Sequence, residues 1–247
     1  MKNAPLIITL FCLLILASSF TQKNLKIDVS ELPQNEAMKE LGVRVYIHTS
    51  YNLYKGTPFP SNGLIISTKE GIALIDGAWG VENTSQLINY CKDSLKQDIK
   101  FVIGTHFHDD RIGGVKLFNE LNIPVYVNSK TAELAAKDSL GDLFILNHDT
   151  SFGGITISPN YLGAGHTLDN QVVYLPIANI LFGGCLVKSL DAGGMGNIAD
   201  ADLKQWPATI KAVKKKYNDA EIIVPGHGDY GNTELLNHTL KLLKQSK

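Results

Sequence analysis

The sequence predicts a mixed α/β chain, with one mixed sheet or two sheets flanked by helices rather than a single doubly wound sheet. Three observations predict it. A strand, a helix and a second strand follow one another twice, each run ending at a residue of metal-ligand type. The early strands are joined by tight turns, whereas the later ones alternate with helices. No long low-complexity linker divides the chain.

The elements follow in order. "VRVYIHTS" and "NGLIIST" read as early strands. Between them, Tyr51 to Asn62 ("YNLYKGTPFPSN") is rich in Gly, Pro and Asn and reads as a hairpin-like loop exposing Phe59. "GIALIDG" reads as a buried strand. "ENTSQLINYCKDSL" is an amphipathic helix, with Leu87, Ile88, Cys91 and Leu95 in one stripe. "IKFVIGTH" is a strand ending in His106. "DNQVVYLP" is another, stopped by Pro176. In the second half "NILFGGC" is a strand ending in Cys185. "DADLKQWPATIKAVKKKY" reads as a helix, with Leu203, Trp206, Ile210, Val213 and Tyr217 on one face. "AEIIVPGH" is a strand ending in His227. "TELLNHTLKLLKQ" is a last helix, carrying Leu236, Leu240 and Leu243 on one side. The repeat lies in pattern, not residue identity. It suggests an internal duplication that brings two strand ends together.

The first 22 residues, "MKNAPLIITLFCLLILASSFTQ", have one lysine, an apolar run from Leu6 to Ala17, then small residues. That is the pattern of a secretory signal, and the run is short for a bilayer span. Cleavage is expected between Ser18 and Gln22, giving a signal of residues 1–21 and one domain of residues 22–247. A periplasmic location follows, with no membrane attachment after cleavage. The 247 residues allow a sizeable core. With 23 basic and 24 acidic side chains the charge is nearly balanced, which argues against nucleic acid as the main partner. No apolar surface stripe calls for a dimer, so a monomer is expected.

Export leaves two cysteines. Cys91 reads as a small buried apolar residue of its helix. Cys185 follows a strand and needs protection from oxidation, which a metal would give. It belongs to a set with His106, His108, Asp110, His166 and His227, each at a strand-to-loop junction close to glycine. His48, His148 and His238 lack that setting and read as ordinary hydrogen-bonded residues. In "HFHDD" the alternation of an extended segment sends His106, His108 and Asp110 one way and Phe107 and Asp109 the other. Asp110 is then the ligand candidate and Asp109 is not. Six ligands exceed one tetrahedral zinc and suit two metals with open positions. Thiolate with imidazole favours zinc over magnesium or calcium.

"HFHDD", "GAGHTLDN", "GGCLVKS" and "VPGHGDYG" resemble the zinc-site motifs of the metallo-β-lactamase superfamily, most closely the first, di-zinc subclass of class B. The resemblance runs from about Glu40 to the C-terminus. Two details make it specific: Arg111 stands where most superfamily hydrolases carry another histidine, and Cys185 stands where they carry a bridging aspartate. Both weigh against a thioesterase, lactonase or nuclease.

The resemblance implies a four-layer αββα sandwich with the site in a shallow groove at one sheet edge. It implies that His106, His108 and His166 bind a first zinc and Asp110, Cys185 and His227 a second. The substrate implied is a β-lactam (penicillin, cephalosporin or carbapenem), so the activity would confer antibiotic resistance. The expected chemistry is attack on the amide by a zinc-bound hydroxide that Asp110 orients, without an acyl-enzyme. Lys188 would pair with the substrate carboxylate, or be a solvated lysine. Asn197 would help polarise the carbonyl, or form a turn. Phe59 resembles part of a flap over bound drug. Trp79 either contributes to the groove floor or wedges a turn. Asp76 reads as structural, and Arg111 as a charge behind the ligands.

Overall fold

A computed structural model describes residues 26–54, 56–138 and 140–246; the expected signal segment lies outside them. The described strands form two sheets. The first runs in sequence order: β1 (Asp28–Glu31), β2 (Arg44–Tyr54), β3 (Thr57–Thr68), β4 (Gly71–Ile75), β5 (Ile99–Ile103), β6 (Val125–Val127) and β7 (Phe144–Ile145). Its pairs are antiparallel up to β4 and parallel beyond it. The second holds β8 (Thr150–Phe152), β9 (Ile155–Asn160), β10 (Val172–Leu175), β11 (Ile180–Gly184) and β12 (Ile222–Pro225). There only the β11–β12 pair is parallel. The described α-helices are α1 (Glu36–Leu41), α2 (Gly80–Asp93), α3 (Asp109–Ile112), α4 (Val115–Glu120), α5 (Ser129–Ala135), α6 (Trp206–Lys216) and α7 (Glu234–Gln245). Among the described residues no helix is long and apolar enough to cross a membrane.

Strand alternation builds the layers. Val45, Ile47, Leu64, Ile66, Ala73 and Ile75 of the first sheet meet Ile157, Val173, Leu175, Ile180 and Phe182 of the second in a central core. Their neighbours Tyr46, Ile65, Ile72 and Leu74 face outward onto Leu87 and Cys91 of α2 and Val115 and Phe118 of α4. On the other side Val172, Leu181 and Ile223 pack against Trp206, Ile210 and Val213 of α6 and Leu236 and Leu243 of α7. Helices, sheet, sheet, helices: this is the αββα sandwich.

Both strand–helix–strand units are present. α2 crosses from β4 to the parallel β5, and α6 from β11 to the parallel β12. Parallel neighbours need such crossovers, and their C-terminal ends lie on one edge, where α/β proteins place ligands.

Two expectations change. The stretch from Tyr51 to Asn62 is mostly strand, pairing Tyr51 with Pro60 and Tyr54 with Thr57. Its prolines are tolerated because β4 pairs only with Leu64–Thr68, leaving this part of β3 with a partner on one side. Phe59 is still exposed there, at 41%. The helix expected from Asp200 onward begins at Trp206, because Pro207 lacks an N–H and fits only a first turn.

Candidate metal centre

Six side chains gather where the sheet edges meet. His106 and His108 follow β5, and Asp110 lies in the first turn of α3. His166 precedes β10, Cys185 follows β11, and His227 follows β12. Overlapping groups that could hold a metal ion contain all six: His106 with His108 and Asp110, His106 with His166 and Cys185, and Asp110 with Cys185 and His227. Within each group the donor atoms lie within 4.8 Å of one another.

The spacings fit zinc. His108 Nδ1 is 3.2 Å from His106 Nε2 and 3.2 Å from His166 Nε2. Two nitrogens at tetrahedral angles on one zinc, with bonds of about 2.0–2.1 Å, stand about 3.3–3.4 Å apart. In the second cluster His227 Nε2 is 3.4 Å from Asp110 Oδ2 and 3.2 Å from Cys185 Sγ.

The outward-facing nitrogens of His106, His108 and His227 are tied down, which selects their donor atoms. His108 Nε2–H donates to Asp200 Oδ2 at 3.0 Å, leaving Nδ1 as the lone pair. His227 Nδ1–H donates to the Pro60 carbonyl at 2.6 Å, leaving Nε2. His106 Nδ1 meets Thr105 Oγ1 at 3.3 Å, and that hydroxyl donates to Asp76 Oδ2 at 2.8 Å.

Arg111 lies fully buried behind the second cluster. Its Nη2 donates to Asp110 Oδ2 at 2.8 Å, Cys185 Sγ at 3.0 Å and the Gly226 carbonyl at 2.9 Å. Its Nη1 reaches Asp76 Oδ2 at 3.3 Å and the Asn62 carbonyl. Asp76 joins both clusters through Thr105 and Arg111, and holds a left-handed φ of 61°, strain of a kind that collects at functional sites.

Electrostatics prepare the donors. Burial pushes His106 and His166 well below the ordinary histidine range and His227 to about 4, so their imidazoles are neutral at pH 7. Burial, the largest single influence, would raise Asp110, but Arg111 and the histidines around it together outweigh burial and hold the carboxylate at about 2. Burial pushes the Cys185 thiol up to about 12 against the pull of Arg111. A bound metal ion is what makes such a sulfur a thiolate.

The sequence matches the family described as Metallo-beta-lactamase superfamily over residues 56–227. The chain belongs to this superfamily. A "Metallo-beta-lactamase type 2" of Bacillus cereus is 42% identical over 212 residues, covering 84% of this chain and 82% of that one. Another of the same name, from Bacteroides fragilis, is 38% identical over 228 residues, covering 91% and 90%. The structure of a metallo-beta-lactamase from Pontibacter korlensis is 45% identical with a TM-score of 0.80, covering 88% of this chain and 99% of that one. These names fit the first subclass of class B. Zinc is the cofactor of the superfamily, and the donor set here suits it.

The metallo-β-lactamase groove is lined by Tyr54, Phe59, Trp79, His108, Asp109, Asp110, His166, Asn197 and His227. Asp110 joins the candidate ligand groups, where the alternation of an extended segment would put it, and Asp109 does not. The reason differs. The aspartates open a helix rather than continue a strand, and the turn of α3 separates them. Asp109 is exposed on the groove wall instead of pointing away from the site. Phe59 lies 5.0 Å from the His227 ring and Trp79 6.4 Å, centroid to centroid. Asn197 is on the wall, and its Oδ1 accepts from Ala199 N–H, as a turn-forming asparagine does. Lys188 is not a solvated surface lysine: it is 8% exposed, with Nζ over the Trp206 ring. His48 bonds the Asp76 carbonyl and His238 the Ala192 carbonyl, outside the ligand groups. Sequence reading missed Asp200 and the linking role of Thr105. Asp200 lies 92 residues from its histidine in an irregular loop, and no periodicity marks it.

Proposed function

We propose that the chain is a di-zinc β-lactamase that hydrolyses the amide of penicillins, cephalosporins and carbapenems. His106, His108 and His166 would hold one zinc, and Asp110, Cys185 and His227 the other. The convergence of these six donors, with His108, Asp110, His166 and His227 lining one groove, carries the reading. Bound zinc supplies an activated water at neutral pH and a Lewis acid for the amide.

The chain's own residues do the rest. Asp110, kept ionised by Arg111, accepts a hydrogen bond from the attacking water and so aims it. Lys188 carries an ammonium with no carboxylate within ion-pair distance among the described residues, so it is free to take the substrate's carboxylate. The amide of Asn197 faces the groove and polarises the substrate carbonyl. Tyr54, Phe59 and Trp79 give the substrate ring an apolar wall and thin the water around it. We further propose that residues 1–21 are a cleaved signal, that residues 22–247 form one periplasmic domain acting as a monomer, and that the activity confers resistance.

Hydrolysis of nitrocefin and a carbapenem by the purified protein, followed by absorbance, tests the function. EDTA should abolish turnover and added zinc restore it. An inert zinc-loaded protein would overturn the reading.

A further inference from the structure

We infer that Trp206 is a positioning residue that presents the Lys188 ammonium to the carboxylate of the substrate; this rests on the role given to Lys188 above. Trp206 is fully buried at the start of α6, yet it touches three functional segments. Its ring lies under Lys188 Nζ, 5.4 Å from ring centroid to nitrogen. Its Nε1–H donates to the Leu186 carbonyl at 2.9 Å, in the turn between Cys185 and Lys188. The ring also meets His166 edge-on, with centroids 5.8 Å apart.

The geometry answers a problem that Lys188 poses. A lysine side chain has four rotatable carbons and is costly to hold in one place. Among the described residues no carboxylate fixes this one, and a carboxylate there would compete with the substrate's own. The face of an indole attracts an ammonium without neutralising it, and the attraction is strongest where water is excluded. Trp206 therefore holds the charge while leaving it available. The Lys188 backbone is fixed separately, its N–H donating to Thr239 Oγ1 at 2.9 Å. The indole N–H fixes the turn behind it. Backbone and ammonium are thus held by different elements, α7 and α6.

The test compares Trp206→Phe, which keeps an aromatic face, with Trp206→Leu, which does not, on nitrocefin and on its carboxylate ester. Trp206→Leu should raise KM for the free acid by roughly 5- to 30-fold, the range a cation–π contact spans from wet to dry sites, with kcat changed far less. Trp206→Phe should recover most of that loss. Neither should alter KM for the ester. The effects of Trp206→Leu and Lys188→Ala should not multiply in the double variant. A core substitution can prevent folding, so fluorinated tryptophans placed at position 206 alone, which weaken the negative ring face at nearly constant shape, give a second measurement. KM for the acid should climb with each fluorine while KM for the ester does not. Equal shifts for acid and ester, or independent effects of the two positions, overturn the inference. If Lys188→Ala itself leaves KM unchanged, the role of Lys188 fails first. If Lys188→Ala raises KM and Trp206→Leu does not, Trp206 alone is acquitted of positioning.

Discussion

Asp200 shows how much one exposed carboxylate can decide. Its bond to His108 Nε2 fixes the tautomer, and the tautomer fixes which nitrogen faces His106 and His166. Asp200→Asn keeps the size but can present its amide N–H to that nitrogen, which favours the wrong tautomer. Zinc affinity at the first cluster should fall by about 10- to 100-fold, the usual loss when a partner behind a metal histidine is changed. Chelator competition measures it, and unchanged affinity would leave Asp200 a bystander. Histidines away from the ligand groups matter in another way. Burial holds His48 at about 4, below the unfolded value near 6.5. As pH falls the unfolded chain takes up this proton first, so stability is intact above 6.5 and is lost between 6.5 and about 4. The loss amounts to about 3 kcal/mol. Urea unfolding against pH, compared with His48→Gln, should show the two curves separating in that window; parallel curves would remove His48 as a source of acid sensitivity. The sequence marked His48 as an ordinary hydrogen-bonded residue, and its Nε2 lies 3.2 Å from the Asp76 carbonyl oxygen. Its burial could not be read, because β2 alternates between two buried faces and both are apolar.

At the scale of elements, the ends of strands were the legible part. Each ligand-type residue beyond β5, β11 and β12 was visible because a buried apolar run stops at glycine just before it. Short elements such as β6, β7, β8 and α3 were not, since two to four residues carry no period to detect. The β12 end explains one of those glycines. A Cβ on Gly226 would stand 2.7 Å from the Cys185 backbone nitrogen and 2.8 Å from both Cys185 Sγ and Arg111 Nη2. Backbone and ligand are too close there for any side chain. Gly226→Ala should cost about 1–3 kcal/mol, as overpacking does, and should displace Cys185 so that zinc per chain drops. Thermal unfolding with metal analysis checks both, and a protein with normal Tm and full zinc would show that the loop can give way.

Across the whole molecule the site is a joint between sheets. His106, His108 and Asp110 come from the edge of the first sheet; His166, Cys185 and His227 come from the second. The doubled strand–helix–strand pattern foretold two converging strand ends, and the motifs supplied the candidate ligands. The stitching between them was not legible. Asn62 in β3 donates to the carbonyls of Pro225, which ends β12, and of Gly228 beyond it, and its own carbonyl accepts from Arg111, all at separations of 49 residues or more. Such bonds depend on how two layers pack, which no local pattern encodes. A metal bound here would staple the two sheets as well as serve catalysis. An ion that binds the folded chain alone, at a hundredfold its dissociation constant, adds about 2.7 kcal/mol. For a domain of this size that is a rise in Tm of roughly 5–11 °C per site. In the proposed assignment, Cys185→Ser takes a ligand only from the second cluster. It should therefore keep part of the zinc-induced rise and lose the rest, while zinc falls from two per chain toward one. Calorimetry with and without EDTA, on both proteins, measures this. A wild-type Tm indifferent to zinc would mean that Asn62, Arg111 and the central core hold the sheets together unaided.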